Sequence, residues 1–182
     1  MKARARATAT LLSVDGVSGN AVRRAAARLA SADRANRAGI SYWDASGIFG
    51  DLDAAGPGVK RPSLRTLLLL YAADLAFRLR WEIRPALAEG RRVIAAPYVD
   101  TAVALGRAAG LDEAWLRSMF EFAPAPTERR YVERAPAATA AGQGFIEFAC
   151  RRLVGIETRS ARQDMVARTQ ARLKATKHGS RA

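Results

Sequence analysis

LLLLYAADLAFRLRWEIRPALAEGRRVIAAPYVDTAVALG, residues 67–106, carries the pattern that decides the fold. Its first part reads as helix. Leu67, Leu70, Tyr71, Asp74, Leu75, Leu79 and Ile83 trace its apolar and semi-apolar surfaces. The helix is expected from Leu64 to about Glu89, with Pro85 kinking it or opening a new turn, and Gly90 ending it. RRVIAAPY (91–98) then reads as a strand. Val93 and Ile94 mark it as buried and parallel, with Pro97 near its end. VDTAVALGRAA (99–109) returns to helix.

The same alternation extends outward. TATLLSV (8–14) reads as a short strand closed by the turn DGVSGN (15–20), followed by a helix with Val22, Ala26 and Leu29 on one face. Gly39 stops that helix, and GISYW (39–43) opens a second strand. Residues 44–63 hold four Gly and two Pro, and read as a loop with one helical turn around Phe49–Leu52. LDEAWLRSMFEFA (111–123) is a helix with Leu111, Trp115, Leu116 and Phe120 facing the core. RRYVERA (129–135) is a fourth strand closed by Pro136. Residues 137–154 read as helix interrupted at Gly142 and Gly144, and a basic helix runs from about Ser160 to Lys174. Strands alternating with helices imply a three-layer α/β fold, a parallel sheet flanked by helices. One domain is expected over residues 1–182, with 1–7 and 175–182 as flexible tails.

Composition narrows the chemistry. Cys150 is the single cysteine, so an intramolecular disulfide and a cysteine-based zinc cluster are excluded, and a reduced, cytoplasmic setting is expected. His178 is the single histidine and lies in a polar tail, which removes Ser-His-Asp, Cys-His and His-ligated metal chemistry. The apolar run LLLLYAA is far short of the ~20 residues of a membrane span. The net charge is +13, and 26 of the 30 basic residues are Arg. Segment 151–182 holds nine basic and two acidic residues, so anionic partners such as nucleotides, nucleic acid or acidic lipid are favoured.

A strand, a glycine-containing turn and a helix form the context of a phosphate-binding loop. In a working loop, backbone N–H groups wrap the phosphates, a Lys neutralises them, and a Ser/Thr hydroxyl holds Mg²⁺. Here the turn runs Asp15-Gly16-Val17-Ser18-Gly19-Asn20-Ala21-Val22-Arg23. The spacing fits G-x-x-x-x-G-K-[ST], but Ala21, Val22 and Arg23 occupy the last three positions. A plain strand-to-helix turn is the other reading of the same residues.

Residues 67–106 resemble the thymidylate kinase (dTMP kinase) family, with its leucine-rich helix reading like LLLFAADRAQ, then IRPAL-x-x-G, a strand, and DR-Y-x-D-S-x-x-A-Y-Q. LDEAWLRSMFEFAPAPT (111–127) is similar to the segment that follows. GIETRSARQDMVARTQARL (155–173) looks like the lid-to-last-helix segment, DR-I-E-x-R-S. With the loop at 15–23, the resemblance covers residues 8–174 and implies a P-loop kinase-like fold.

The working residues of that family fare differently. Its P-loop Lys falls on Val22, its Ser/Thr pair on Arg23 and Arg24, and the loop's inner acidic residue on Ser18. Its arginine after strand two falls near Asp44, that of A-A-D-R on Leu75, the Asp-Arg pair after strand three on Ala96 and Pro97, and the lid Asp-Arg on Val154 and Gly155. The Gln of A-Y-Q has no counterpart. Asp15, Gly16 and Gly19 match the loop, and Asp74, Tyr98, Asp100, Ile156 and Glu157 also match. Tyr71 sits where an aromatic residue stacks on the base in the family; on a leucine-rich helix the other reading is core. Asp100 is read as a sugar ligand or as a cap of the helix beginning at TAVAL.

Removing one preorganised donor from a phosphoryl-transfer site typically costs ~3–4 kcal/mol in the barrier, and four or more are missing here. The resemblance therefore implies a catalytically impaired homologue, with residual nucleotide binding or a partner-binding role, and no catalytic or metal-binding residue is assigned. Asp15, Gly16, Ser18, Gly19, Arg23 and Arg24 form the degenerate loop; Tyr71, Asp74, Tyr98 and Asp100 the nucleoside pocket; Arg151, Arg152 and Glu157 the lid. Arg23, Arg24, Arg151 and Arg152 are read either as anion ligands or as solvated surface. The alternative is a divergent nucleoside-monophosphate kinase using ATP and Mg²⁺ on dTMP or a similar nucleotide through relocated arginines. A basic nucleic-acid-binding module is the third reading. The family pairs through the helix matching Leu64–Leu79, which implies a homodimer.

Overall fold

The computed structural model describes residues 9–32, 38–56, 60–133 and 144–179. Four parallel strands form one sheet in the order β2-β3-β1-β4: β1 Thr10–Gly16, β2 Gly39–Tyr42, β3 Arg92–Ala96 and β4 Glu128–Val132. Eight α-helices connect or cover them among the described residues. α1 spans Gly19–Ala32, α2 Ile48–Ala54, α3 Leu64–Arg78 and α4 Arg84–Ala88. α5 spans Val99–Ala108, α6 Glu113–Met119, α7 Phe145–Arg152 and α8 Arg159–Gly179.

The strand period of two sorts the side chains into layers. Leu12, Val14, Ile94 and Ala96 face α1, where Val22 and Ala26 meet them. Leu11, Val93 and Ala95 face the other way, onto a larger core from α3, α5, α7 and α8. Because both faces are covered, the central strands are apolar on both, as parallel sheets require. This is the three-layer α/β architecture that the alternating pattern predicts.

Several boundaries differ from the sequence reading. β1 runs through Asp15 and Gly16, both expected in the turn, because parallel pairing with β4 continues to Gly16↔Val132. The loop at 44–63 contains a two-turn helix, α2, whose N-terminal amides are held by a carboxylate: Asp44 accepts from Phe49 N–H at 2.8 Å and Gly50 N–H at 2.9 Å. Pro85 does interrupt the long helix, through a π-helical turn at Leu79–Ile83 in which Arg84 N–H donates to the carbonyl of Leu79. Proline cannot donate to the carbonyl four residues back, and the widened turn absorbs that loss. α8 continues five residues past Lys174, into the expected C-terminal tail. Pro136 and Gly142, residues 1–7 and residues 180–182 lie outside the described residues. No helix among the described residues is long and apolar enough to cross a membrane.

Candidate functional site

In an open parallel sheet, ligands bind beyond the carboxyl ends of the strands where the strand order reverses. In this chain that place lies beyond β1 and β3, beside Gly16, Ala96 and Pro97.

The link from β1 to α1 is short. Only Val17 and Ser18 separate Gly16 from the first helical residue, Gly19. Ser18 acts as the helix cap: its carbonyl accepts from Val22 N–H at 3.0 Å and its hydroxyl from Ala21 N–H at 3.5 Å. The next amide, Gly19 N–H, donates to the carboxylate of Glu147 at 3.0 Å, and Gly144 N–H donates to the same oxygen at 2.7 Å. A helix N-terminus attracts negative charge through its free amides and its dipole. Here α7 supplies that charge from within the chain.

α7 also supplies a ring. Phe145 lies against Tyr71 with centroids 4.3 Å apart, and its other neighbours are Trp43 at 6.1 Å and Phe49 at 5.7 Å. Phe148 completes the cluster, 5.2 Å from Phe49 and 5.9 Å from Trp43. Such tilted and edge-on pairs contribute about 0.5–1.5 kcal/mol each beyond their buried area. The hollow left between Gly16, Gly19, Arg23, Trp43, Pro97 and Phe145 has a volume of about 10 Å³. Close packing extends to the backbone: a Cβ on Gly144 would lie 2.6 Å from Cα and 2.8 Å from N of Gly19.

Of the four expected nucleoside-pocket residues, Tyr71, Asp74 and Tyr98 bond to backbone and Asp100 to side chains. Tyr71 is fully buried and its hydroxyl donates to the carbonyl of Tyr98 at 2.7 Å. Burial raises its phenol pKa. Asp74 is fully buried and fixes the turn after β2: it accepts from Asp44 N–H and Ser46 N–H, each at 3.0 Å, and from the Ser46 hydroxyl at 2.8 Å. That turn holds Asp44 at φ 61, a left-handed conformation that Asp tolerates. Tyr98 donates its hydroxyl to Pro124 O at 2.8 Å. Asp100 lies in the first turn of α5 and not at its cap; it binds Arg129 at 2.9 Å and accepts from the Tyr131 hydroxyl at 2.6 Å, tying α5 to β4.

Asp15 is the most constrained acid. One oxygen accepts from Tyr98 N–H and Thr101 N–H, each at 3.0 Å, and from the Thr101 hydroxyl at 2.7 Å. The other oxygen is buried without a partner. Burial, and secondly the charge of Asp100, push its pKa up to about 6 against the opposing hydrogen bonds.

The arginines are dispersed. Arg23 stacks its guanidinium over the Tyr42 ring at 4.9 Å, and Arg24 is exposed. Arg152 donates to the carbonyls of Leu52 at 3.0 Å and Asp53 at 2.6 Å, closing the end of α2, and pairs with the Asp53 carboxylate. Arg151 lies 3.9 Å from the same carboxylate, and Glu157 lies 3.9 Å from Arg61. None of the three expected lid residues lines the hollow beyond β1.

Three important residues were missed in the sequence. Glu147 stands three residues after Gly144, the spacing of a carboxylate that returns to its own helix start, and this pattern was available. Phe145 carries no local signal of its distant partners. Arg78 is fully buried; it donates to Ser41 Oγ at 2.9 Å, Ser41 O at 2.8 Å and Pro97 O at 3.0 Å, joining β2 to the end of β3. Glu82 accepts from the Ser41 hydroxyl at 2.6 Å, placing a carboxylate one link from that buried charge.

No protein-family model matches the chain, and no curated protein matches it in sequence. Among solved structures it is similar to thymidylate kinase from Ehrlichia chaffeensis, with a TM-score of 0.63 and 13% identity over 93% of this chain and 82% of that one. At that identity the likeness shows the fold alone, a P-loop kinase fold. A triphosphate with Mg²⁺ does not fit the residues at the β1–α1 junction. Val22, where a P-loop lysine is expected from the sequence resemblance, is buried and apolar, the connecting turn is two residues long, and Glu147 already takes an amide of α1.

Proposed function

We propose that this chain is a non-catalytic protein on a thymidylate-kinase-like fold, whose nucleotide site has become structural core and which acts by binding a partner. The observation that carries the reading is Glu147 on Gly19 N–H, with Phe145 packed on Tyr71 beside it. Together they place an acid and a ring from α7 where the fold would receive phosphate and base. Nucleotide entry at this place requires α7 to leave. If its departure costs about 4 kcal/mol, apparent affinity falls roughly a thousandfold, so nucleotide binding there is residual.

The partner side of the reading rests on an exposed apolar stripe. Leu69, Phe77 and Trp81 are 55%, 40% and 64% exposed, and with Ala73 they follow one another four residues apart along α3 and its π turn. Monomers seldom leave such a contiguous apolar row in water. A second copy of the chain, paired through this helix, is the proposed partner.

The test of the catalytic claim is phosphoryl transfer from ATP with Mg²⁺ to dTMP and to the other nucleoside monophosphates. The expected result is no turnover above an enzyme-free control. Robust turnover overturns the reading.

A further inference from the structure

A second hollow, independent of the proposed function, lies between α7 and α8 and has a volume of about 340 Å³. That falls within the range of small-ligand pockets, whereas the closed hollow at β1 does not. None of its lining residues lines the hollow at the carboxyl ends of the strands, although Glu147 accepts a hydrogen bond from Gly19 there.

Its walls combine two chemistries. Cys150 and Val166 give an apolar surface. The Cys150 thiol is buried, and burial pushes its pKa up to about 11, so it stays neutral at physiological pH. Around this surface stand Arg151, Arg159 and Arg162. Elsewhere the arginines with nearby acids are paired: Arg107 with Glu113, Arg129 with Asp100, and Arg168 with Asp164. Among the described residues Arg159 and Arg162 form no ion pair, and Arg151 shares Asp53 with the closer Arg152. The one carboxylate lining the hollow, Glu147, is engaged with the amides of Gly19 and Gly144. Three arginines thus line a small space whose one carboxylate is already engaged.

We propose that the α7–α8 hollow is a binding site for a small phosphate monoester with an apolar or aromatic body. The planar forks of Arg159 and Arg162, with Arg151, take the phosphate oxygens, a geometry suited to paired N–H···O bonds. The body lies against Cys150 and Val166. Neither half suffices: a free anion leaves the apolar wall wet, and an uncharged ring leaves the arginines facing one another.

The probe is phenyl phosphate, titrated calorimetrically into the full chain, with inorganic phosphate and phenol as half-ligands. Saturable one-to-one binding of phenyl phosphate is expected, at least tenfold tighter than either half. Arg159→Gln with Arg162→Gln should weaken it at least tenfold with an unchanged circular dichroism spectrum, since neither side chain is buried. Absence of binding, equal binding of inorganic phosphate, or unchanged affinity in the double variant would each overturn the proposal.

Discussion

Glu147 and Gly19, 128 residues apart in sequence, meet at 3.0 Å, the carboxylate accepting from the first amide of α1. The oxygen that accepts from Gly19 also accepts from Gly144, so one atom ties the start of α7 to the start of α1. In a P-loop kinase fold the first helix after β1 is where a phosphate would sit. The chain keeps the electrostatic demand of that helix end and meets it with a side chain of its own.

That contact has a measurable strength. Glu147→Ala should cost about 2 kcal/mol in denaturant unfolding, the usual scale for a hydrogen bond to a charged group joined to the loss of a helix-terminal charge. Glu147→Gln keeps an acceptor and should cost about half as much. Gly144→Ala forces a methyl onto the backbone of Gly19 and should separate the two helices. Faster hydrogen exchange at residues 145–152, with the rest of the chain protected, is the expected signature. Unchanged exchange there would show that α7 does not depend on its contact with α1.

Phe145 behaves as core and not as a lid. Phe145→Ala should destabilise the fold by about 3–5 kcal/mol, because the ring is buried among Tyr71, Trp43 and Phe49 and its removal leaves a cavity. Phe145→Leu should cost about 1–2 kcal/mol. A loss under 1 kcal/mol for the alanine variant would mean that the cluster is loosely held.

Asp15 makes stability depend on pH. Its pKa is raised in the folded state, so the folded chain retains a proton that the unfolded chain releases between pH 3.8 and about 6. Stability from this group is greatest below that window and falls as pH rises through it, by at most about 3 kcal/mol. Asp15→Asn cannot ionise and should lack this component. Unfolding free energies measured from pH 4 to 7 should therefore show the wild type losing ground to the variant. A parallel pair of curves, or the opposite slope, would refute the assignment.

The exposed stripe on α3 predicts an assembly. Sedimentation should find the wild type dimeric, and Trp81→Asp should yield monomers without changing the fold, because Trp81 is 64% exposed and a surface substitution there costs little. A monomeric wild type at micromolar concentration would remove the homodimer from the reading.

The sequence by itself determined the succession of strands and helices and the parallel, three-layer arrangement. These follow from short-range patterns: apolar runs in β1 and β3, helical spacing in α1 and α3, and glycine and proline at the breaks. It also put Val22 where the resemblance would place a lysine, which is visible without any coordinates. Only the tertiary structure decided what stands in the site. Tyr71 was legible as an aromatic on a helix, but its partner Phe145 follows 74 positions later on another helix. Arg152 was legible as a cation, but the carbonyls of α2 that take its charge are folded against it from about 100 residues away. The physical reason is that a local pattern states which face a residue presents. It does not state which distant face will cover it.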